Sequence, residues 1–293
     1  MNDIRIGTLV EGSRDPAGMI AALLPHGFES FSIMFWRRVE ADLPRVAEQV
    51  LRAIGDADVT IDCVSVYGNP LEDDFTAEGF ATLIDHAHLF GASVVAGFAG
   101  ALTGQSVPDA IPRFTEVFAP LAERAGERGV RLAFENCPME GEWDRAVWNL
   151  AINQDAWALM LDALPGEHVG LQWDPSHSHE QLTDPYAELR AWAPRIFHVH
   201  GKDATVHWDL VRANGVRGRH WCDHRMPGFG DTDWRKAIAL LRAAGYRGAI
   251  DVEGWHDPAF AGERETTGQL AALRHLKEAR GGDFVPNPLG DRE

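Results

Sequence analysis

The chain has 293 residues, of which 45% are hydrophobic and 24% charged, with a formal charge of −17, ample apolar material for the large core of a globular protein. The acidic balance argues against nucleic acid, whose phosphates need a basic face, and against anionic membrane surfaces. No apolar run approaches the roughly 18 residues of a membrane span, the N-terminus has no signal-like lead, and Cys63, Cys137 and Cys222 make neither a disulfide framework nor a zinc-finger spacing.

A reduced, cytoplasmic enzyme is therefore expected. In chain order, strand-like runs occur at "IRIGTLV" (4–10), "FESFSIMF" (28–35), "DVTIDCVSV" (58–66) and "ASVVAGF" (92–98). They continue with "VRLAFE" (130–135), "HVGLQWD" (168–174), "RIFHVH" (195–200) and "YRGAIDVE" (246–253). Between them lie helix-length segments with apolar spacing of three and four, such as "ADLPRVAEQVLRAIG" and "DWRKAIALLRAAG", several opening on Asp or Thr and closing on Gly. Eight strand-then-helix units predict a (β/α)8 TIM barrel in the α/β class, a single domain over residues 1–293 with a surface tail at 281–293. A doubly wound sheet would carry a Gly-rich phosphate turn after its first strand, and "GTLVEGSRD" is a poor match for one. Two long loops, 136–152 and 201–232, follow the fifth and seventh strands, where a barrel builds its active site.

Strand alternation then orients the side chains. With the apolar residues facing the helices, Phe134, Trp173, Phe197 with Val199, and Val252 oppose Glu135, Asp174, His200 and Glu253. Those four are expected to end their strands and point inward at the C-terminal mouth. Three carboxylates converging without a cation would raise one another's pKa values, so a shared divalent metal is the simpler reading. Three carboxylates and one imidazole suit Mn²⁺ first, with Mg²⁺, Co²⁺ or Zn²⁺ as alternatives.

Around them, His177 is placed to swing back toward the site, and Lys202 and Asp203 in "HGKDA" to neutralise and orient an oxyanion. Arg225 and Trp255 are candidate sugar contacts from the seventh and eighth loops. His198 reads as a packed, hydrogen-bonded histidine. Cys137 has no histidine base paired with it and is not read as a nucleophile.

"FENCP", "QWDPSHSH", "IFHVHGKDA" and "PGFGDTDWRKAIALLRAAGYRGAIDVEGW" occur in order on strands five to eight. Together they resemble the sugar phosphate isomerase/epimerase superfamily of xylose-isomerase-like barrels over nearly the whole chain. The resemblance implies one divalent metal on Glu135, Asp174, His200 and Glu253. It also implies two glutamates handling protons on opposite sides of a substrate, and a substrate oxygen on His177. Ketose 3-epimerases of this superfamily carry an arginine six residues after the metal histidine, where this chain has Val206. The "HGKDA" form is closer to inositol-catabolism and hydroxypyruvate-isomerase-like members and to C-glycoside deglycosidase catalytic subunits, which act on 3-oxo sugars.

The expected function is a metal-dependent isomerase or epimerase of a sugar or keto-sugar, working through proton abstraction and an enediolate. The alternative is a lyase or dehydratase that expels a β-leaving group from a 3-oxo-glycoside or keto-inositol. Under that alternative a small partner subunit is compatible, as is a homo-oligomer. A metal-dependent nuclease is disfavoured by the charge. A purely sugar-binding protein is disfavoured by the two glutamates.

Overall fold

A computed structural model describes residues 3–286. Ten strands occur among them: β1 (Arg5–Glu11), β2 (Ser30–Trp36), β3 (Thr60–Tyr67), β4 (Val94–Gly97), β5 (Arg131–Glu135), β6 (Val169–Trp173), β7 (Ile196–Gly201), β8 (Asp203–Val206), β9 (Cys222–Arg225) and β10 (Ala249–Val252). Eight of them close a barrel in the order β1-β10-β7-β6-β5-β4-β3-β2, with a helix on each crossover. The predicted (β/α)8 architecture is what the chain adopts. Hydrogen-bonded neighbours run parallel, for example Leu132 beside Val169 and Asp251 beside His200.

The helices start where side chains accept the first free N–H groups. Asp15, Asp42, Asp73, Ser106, Asn153, Asp184 and Asp233 each cap one, as expected for N-caps. No described helix is long and apolar enough to cross a membrane. Of the tail expected at 281–293, residues 281–286 are described and 287–293 lie outside the described residues.

Two compact units can be distinguished by their internal contacts. Leu9–Trp173 with Arg195–His198 make one. In it Phe134 of β5 packs edge-on against Phe114 and Phe118 of the helix Val107–Glu127, at ring distances of 5.3 and 4.8 Å. That fixes the helix-facing side of β5 and turns Ala133 and Glu135 to the other side.

Phe197 departs from the expected alternation. Instead of facing the helices it packs with Cys63, Val94, Ala96 and Ala133, and the Arg131 guanidinium lies 5.1 Å over its ring. Gly170 makes this arrangement workable, because a Cβ there would collide with the Phe197 ring and the Arg195 carbonyl. Above this floor lies a polar layer: Tyr67 donates to Gln172 at 2.7 Å, and Gln172 meets His198 Nδ1 at 2.8 Å, all fully or nearly buried.

The other unit holds the start of β1, Asp174–Pro194 and the chain from Val199 onward. Its barrel strands β7 and β10 pair directly. Thr8 donates to the Val252 carbonyl, and Arg280 Nη1 ties the last helix to the Ile4 carbonyl at 2.7 Å. The long loop after β7 is not irregular throughout, as expected from sequence. It contains the antiparallel hairpin β8–β9, with Ala204, Val206 and Cys222 buried against Val211 and Trp221.

Candidate metal centre

Glu135 is the last residue of β5, Asp174 directly follows β6, His200 is the penultimate residue of β7, and Glu253 directly follows β10. All are buried, with exposures of 4%, 0%, 1% and 8%. Only Glu135 ends its strand in the strict sense. Asp174 has already left the ladder to cap the helix Pro175–Glu180, its Oδ1 accepting from the Ser176 N–H at 2.8 Å. Each of the four offers one ligand atom, and these atoms all lie within 4.8 Å of one another.

Within the group, His200 Nδ1 stands 2.8 Å from Glu253 Oε2 and 4.0 Å from Asp174 Oδ2. The buried Glu253 Oε2 makes no well-directed hydrogen bond, the condition of an oxygen oriented for a cation rather than for a donor. Donor chemistry agrees: carboxylate oxygens with one imidazole fit a hard or borderline divalent ion. Burial alone would raise the Glu253 carboxyl. The charge of Lys202 and the contact with His200 outweigh it and hold the group well below the usual carboxylate range. Lys202 Nζ is 2.7 Å from Glu253 Oε1, and Lys202 is only 4% exposed.

The surrounding candidates divide by what they touch. His177, on the helix after β6, brings Nε2 to 3.5 Å from Asp174 Oδ2. Asp203 is turned to the loop: it accepts from the backbone N–H groups of Ala204, Gly228 and Thr232 and from the Trp234 indole. Burial raises its carboxyl despite those donors. Arg225 places Nε 3.3 Å from Asp257, whose carboxylate also accepts from the Met226 N–H. Trp255 is half-buried, two residues beyond Glu253.

Some residues that shape the site were not evident from sequence. Asn149, in the loop after β5, donates to the carbonyls of Glu135 and Cys137 and accepts from Ala99, which fixes the strand end carrying Glu135. Trp148 from the same loop stacks on the exposed Trp36 with ring centroids 6.0 Å apart. The loop's asparagine and tryptophans carried no spacing that could have announced these contacts.

The family description "Xylose isomerase-like TIM barrel" matches residues 20–279. The rhizopine catabolism protein MocC of Rhizobium meliloti is 34% identical over 144 residues, 47% of this chain and 41% of that protein, so this match spans less than half of MocC. Inosose dehydratase of Klebsiella pneumoniae (strain 342) is 28% identical over 226 residues, 70% of this chain and 72% of the enzyme. Among solved structures, 3-keto-D-glucoside 4-epimerase from E. coli superposes with a TM-score of 0.69 over 94% of this chain and 99% of its own. Its 17% identity speaks to the fold alone.

Proposed function

Because the chain belongs to the xylose isomerase-like TIM barrel family, we propose that it is a divalent-metal-dependent enzyme that removes a proton beside a carbonyl of a sugar or keto-sugar. The observation that carries this reading is the convergence of Glu135, Asp174, His200 and Glu253 within 4.8 Å. These four would hold the metal, with Mn²⁺ the first expectation. When bound, it supplies positive charge for the oxygens on which negative charge develops as the proton leaves.

The protein's own groups divide the remaining work. Glu253 has one oxygen against Lys202 and the other beside His200, so it is the weaker base of the two glutamates. We assign abstraction of the carbon-bound proton to the Glu135 carboxylate. His177 holds a substrate oxygen next to Asp174. Trp255 lines the mouth beyond Glu253, while Asp203 and Arg225 act by shaping the loop that covers it. If the proton returns from Glu135 to the neighbouring carbon, or the Lys202 ammonium beside Glu253 delivers one to the opposite face, the reaction is an isomerisation or an epimerisation.

The second reading has a specific observation behind it. Similarity to inosose dehydratase extends over 70% of the chain, and the Lys202 ammonium beside Glu253 can give a proton to a departing oxygen. The electron pair left by the first proton then expels a β-substituent, and the enzyme is a lyase on a keto-inositol or 3-oxo-glycoside.

Turnover of keto-sugars by Mn²⁺-loaded protein in deuterated water separates the outcomes. Solvent deuterium in a product of unchanged formula identifies the isomerase or epimerase. Loss of water or of an aglycone identifies the lyase. Glu135→Gln is expected to lower either rate by at least about 10²-fold, the scale of a lost general base. Undiminished turnover by this variant would overturn the assignment, and product formed from every substrate without deuterium uptake or elimination would overturn the reading as a whole.

A further inference from the structure

Rings and guanidiniums gather on one part of the barrel rim. Every residue of β2 is buried except its last, Trp36, which is 51% exposed. Strands β2 to β5 pair in parallel, each with the next, so Trp36 ends β2 at the same C-terminal edge where Glu135 ends β5. Trp148, from the loop after β5, lies nearly parallel to Trp36, with 15° between the ring planes and 6.0 Å between centroids. The two indoles make one continuous apolar surface rather than a stray exposed residue, and such surfaces mark binding sites.

The residues that follow add charge. Arg37 has a φ of 63°, in the left-handed region that side chains rarely adopt. The fold holds it there: its N–H donates to the Tyr67 carbonyl at 2.7 Å, and its carbonyl accepts from the Thr76 hydroxyl at 3.1 Å. The Arg37 guanidinium lies 5.6 Å from the Trp148 ring centre and 5.1 Å from that of Phe75, while the Arg38 guanidinium lies 3.9 Å over Phe75. Their carboxylate neighbours, Asp73 at 3.8 Å and Glu40 at 3.7 Å, are too distant for hydrogen bonds. Both guanidiniums therefore keep N–H groups open to an acceptor, on a chain whose overall charge is −17.

We propose that Trp36, Trp148 and Arg37 form a subsite for a planar aryl ring carrying an anionic group, attached to the sugar from which Glu135 takes its proton. This rests on the proposed function and extends it to the remote half of the substrate. An aryl ring stacks offset on the indole face that Trp36 leaves uncovered, and a carboxylate or phenolate on that ring meets the Arg37 guanidinium. A neutral second sugar would leave the guanidinium without a partner. The link to the chemistry is short in the chain. Trp148 is followed by the buried Asn149, which donates to the carbonyls of Glu135 at 2.8 Å and Cys137 at 2.7 Å. A ring seated on Trp148 thus braces the loop that fixes the end of β5, so binding energy from the remote ring helps to place the base.

The test reads binding rather than turnover. The full Mn²⁺-loaded chain is titrated by calorimetry with 4-carboxyphenyl β-D-glucoside, phenyl β-D-glucoside and methyl β-D-glucoside, none of which carries a keto group. The carboxyphenyl glucoside is expected to bind tightest and the methyl glucoside weakest, with at least about tenfold between them. Trp36→Ala, at an exposed position, and Trp148→Leu should each remove most of that advantage, with circular dichroism showing that both are folded. Arg37→Gln should erase only the preference for carboxyphenyl over phenyl, and Glu135→Gln should leave the order unchanged. Equal affinity for aryl and methyl glucosides, or an aryl preference untouched by Trp36→Ala, overturns the subsite and leaves the proposed function to its own deuterium test. Cellobiose that binds as tightly as the carboxyphenyl glucoside and is weakened by Trp36→Ala overturns the aryl assignment in favour of a second sugar. An aryl preference that depends on Trp36, in a protein that turns over no keto-sugar, supports the subsite and removes the proposed function instead.

Discussion

Replacing Lys202 by Met keeps the aliphatic stem and deletes the ammonium 2.7 Å from Glu253 Oε1. Both side chains are nearly buried, at 5% and 10% exposure, so water cannot take the place of the lost charge. Removing one partner of a buried pair costs about 3–5 kcal/mol. At about 2 °C per kcal/mol for a chain of this size, the metal-free variant should melt roughly 6–10 °C below wild type. A cation held by the same carboxylates restores most of the charge balance, so Mn²⁺ should raise the variant's Tm by several degrees more than it raises that of wild type. Thermal denaturation followed by circular dichroism, in chelator and in excess Mn²⁺, gives both comparisons. A metal-free variant within about 2 °C of wild type would refute the buried-pair argument. Equal Mn²⁺ shifts in the two proteins would refute the shared-charge argument.

Asp203→Ala removes the acceptor for three backbone N–H groups and the Trp234 indole; at about 1–3 kcal/mol per orphaned donor, urea denaturation should show a loss of at least about 3 kcal/mol, and a loss below 1 would contradict it. Tyr67→Phe takes the donor from the buried Gln172 Oε1 and should cost about 1–3 kcal/mol by the same assay, with no effect counting against the polar layer. The His224 ring is lowered to about 4 from 6.5, so the unfolded chain binds more protons between those values. Its contribution is fully present above about pH 6.5 and is lost as pH falls toward 4, at most about 3 kcal/mol. His224→Gln should flatten that part of the metal-free stability profile, and an unchanged slope would show that another group titrates there.

The eight barrel strands were legible because each is a short apolar run bounded by turn residues, and their observed limits lie close to the expected ones. The last strand starts later than its apolar pattern suggests, at Ala249, because Tyr246 uses its hydroxyl to close a turn on the Ala249 carbonyl. Phe197 could not be placed from alternation, since its position depends on a hollow made by Gly170 on a neighbouring strand. The hairpin was hidden for another reason. "DATV" and "CDHR" are four-residue strands of mixed polarity, and their pairing rests on carboxylates such as Asp203 and Asp231, which accept backbone N–H groups from residues distant in sequence. The convergence of Glu135, Asp174, His200 and Glu253 was readable because strand ends repeat a geometry. The approach of His224 Nε2 to Glu180 Oε2, at 3.8 Å, was not, because it depends on that hairpin.

In the barrel ladder, Val199, His200 and Gly201 of β7 are matched directly with Ile250, Asp251 and Val252 of β10, and no rung is supplied by the residues of β8 or β9. The hairpin is thus an attachment rather than a stave. Outside Asp203 and the buried Ala204, Val206 and Cys222, its residues can vary without breaking a rung of the barrel ladder, which makes it a natural place for related chains to diverge in what they accept.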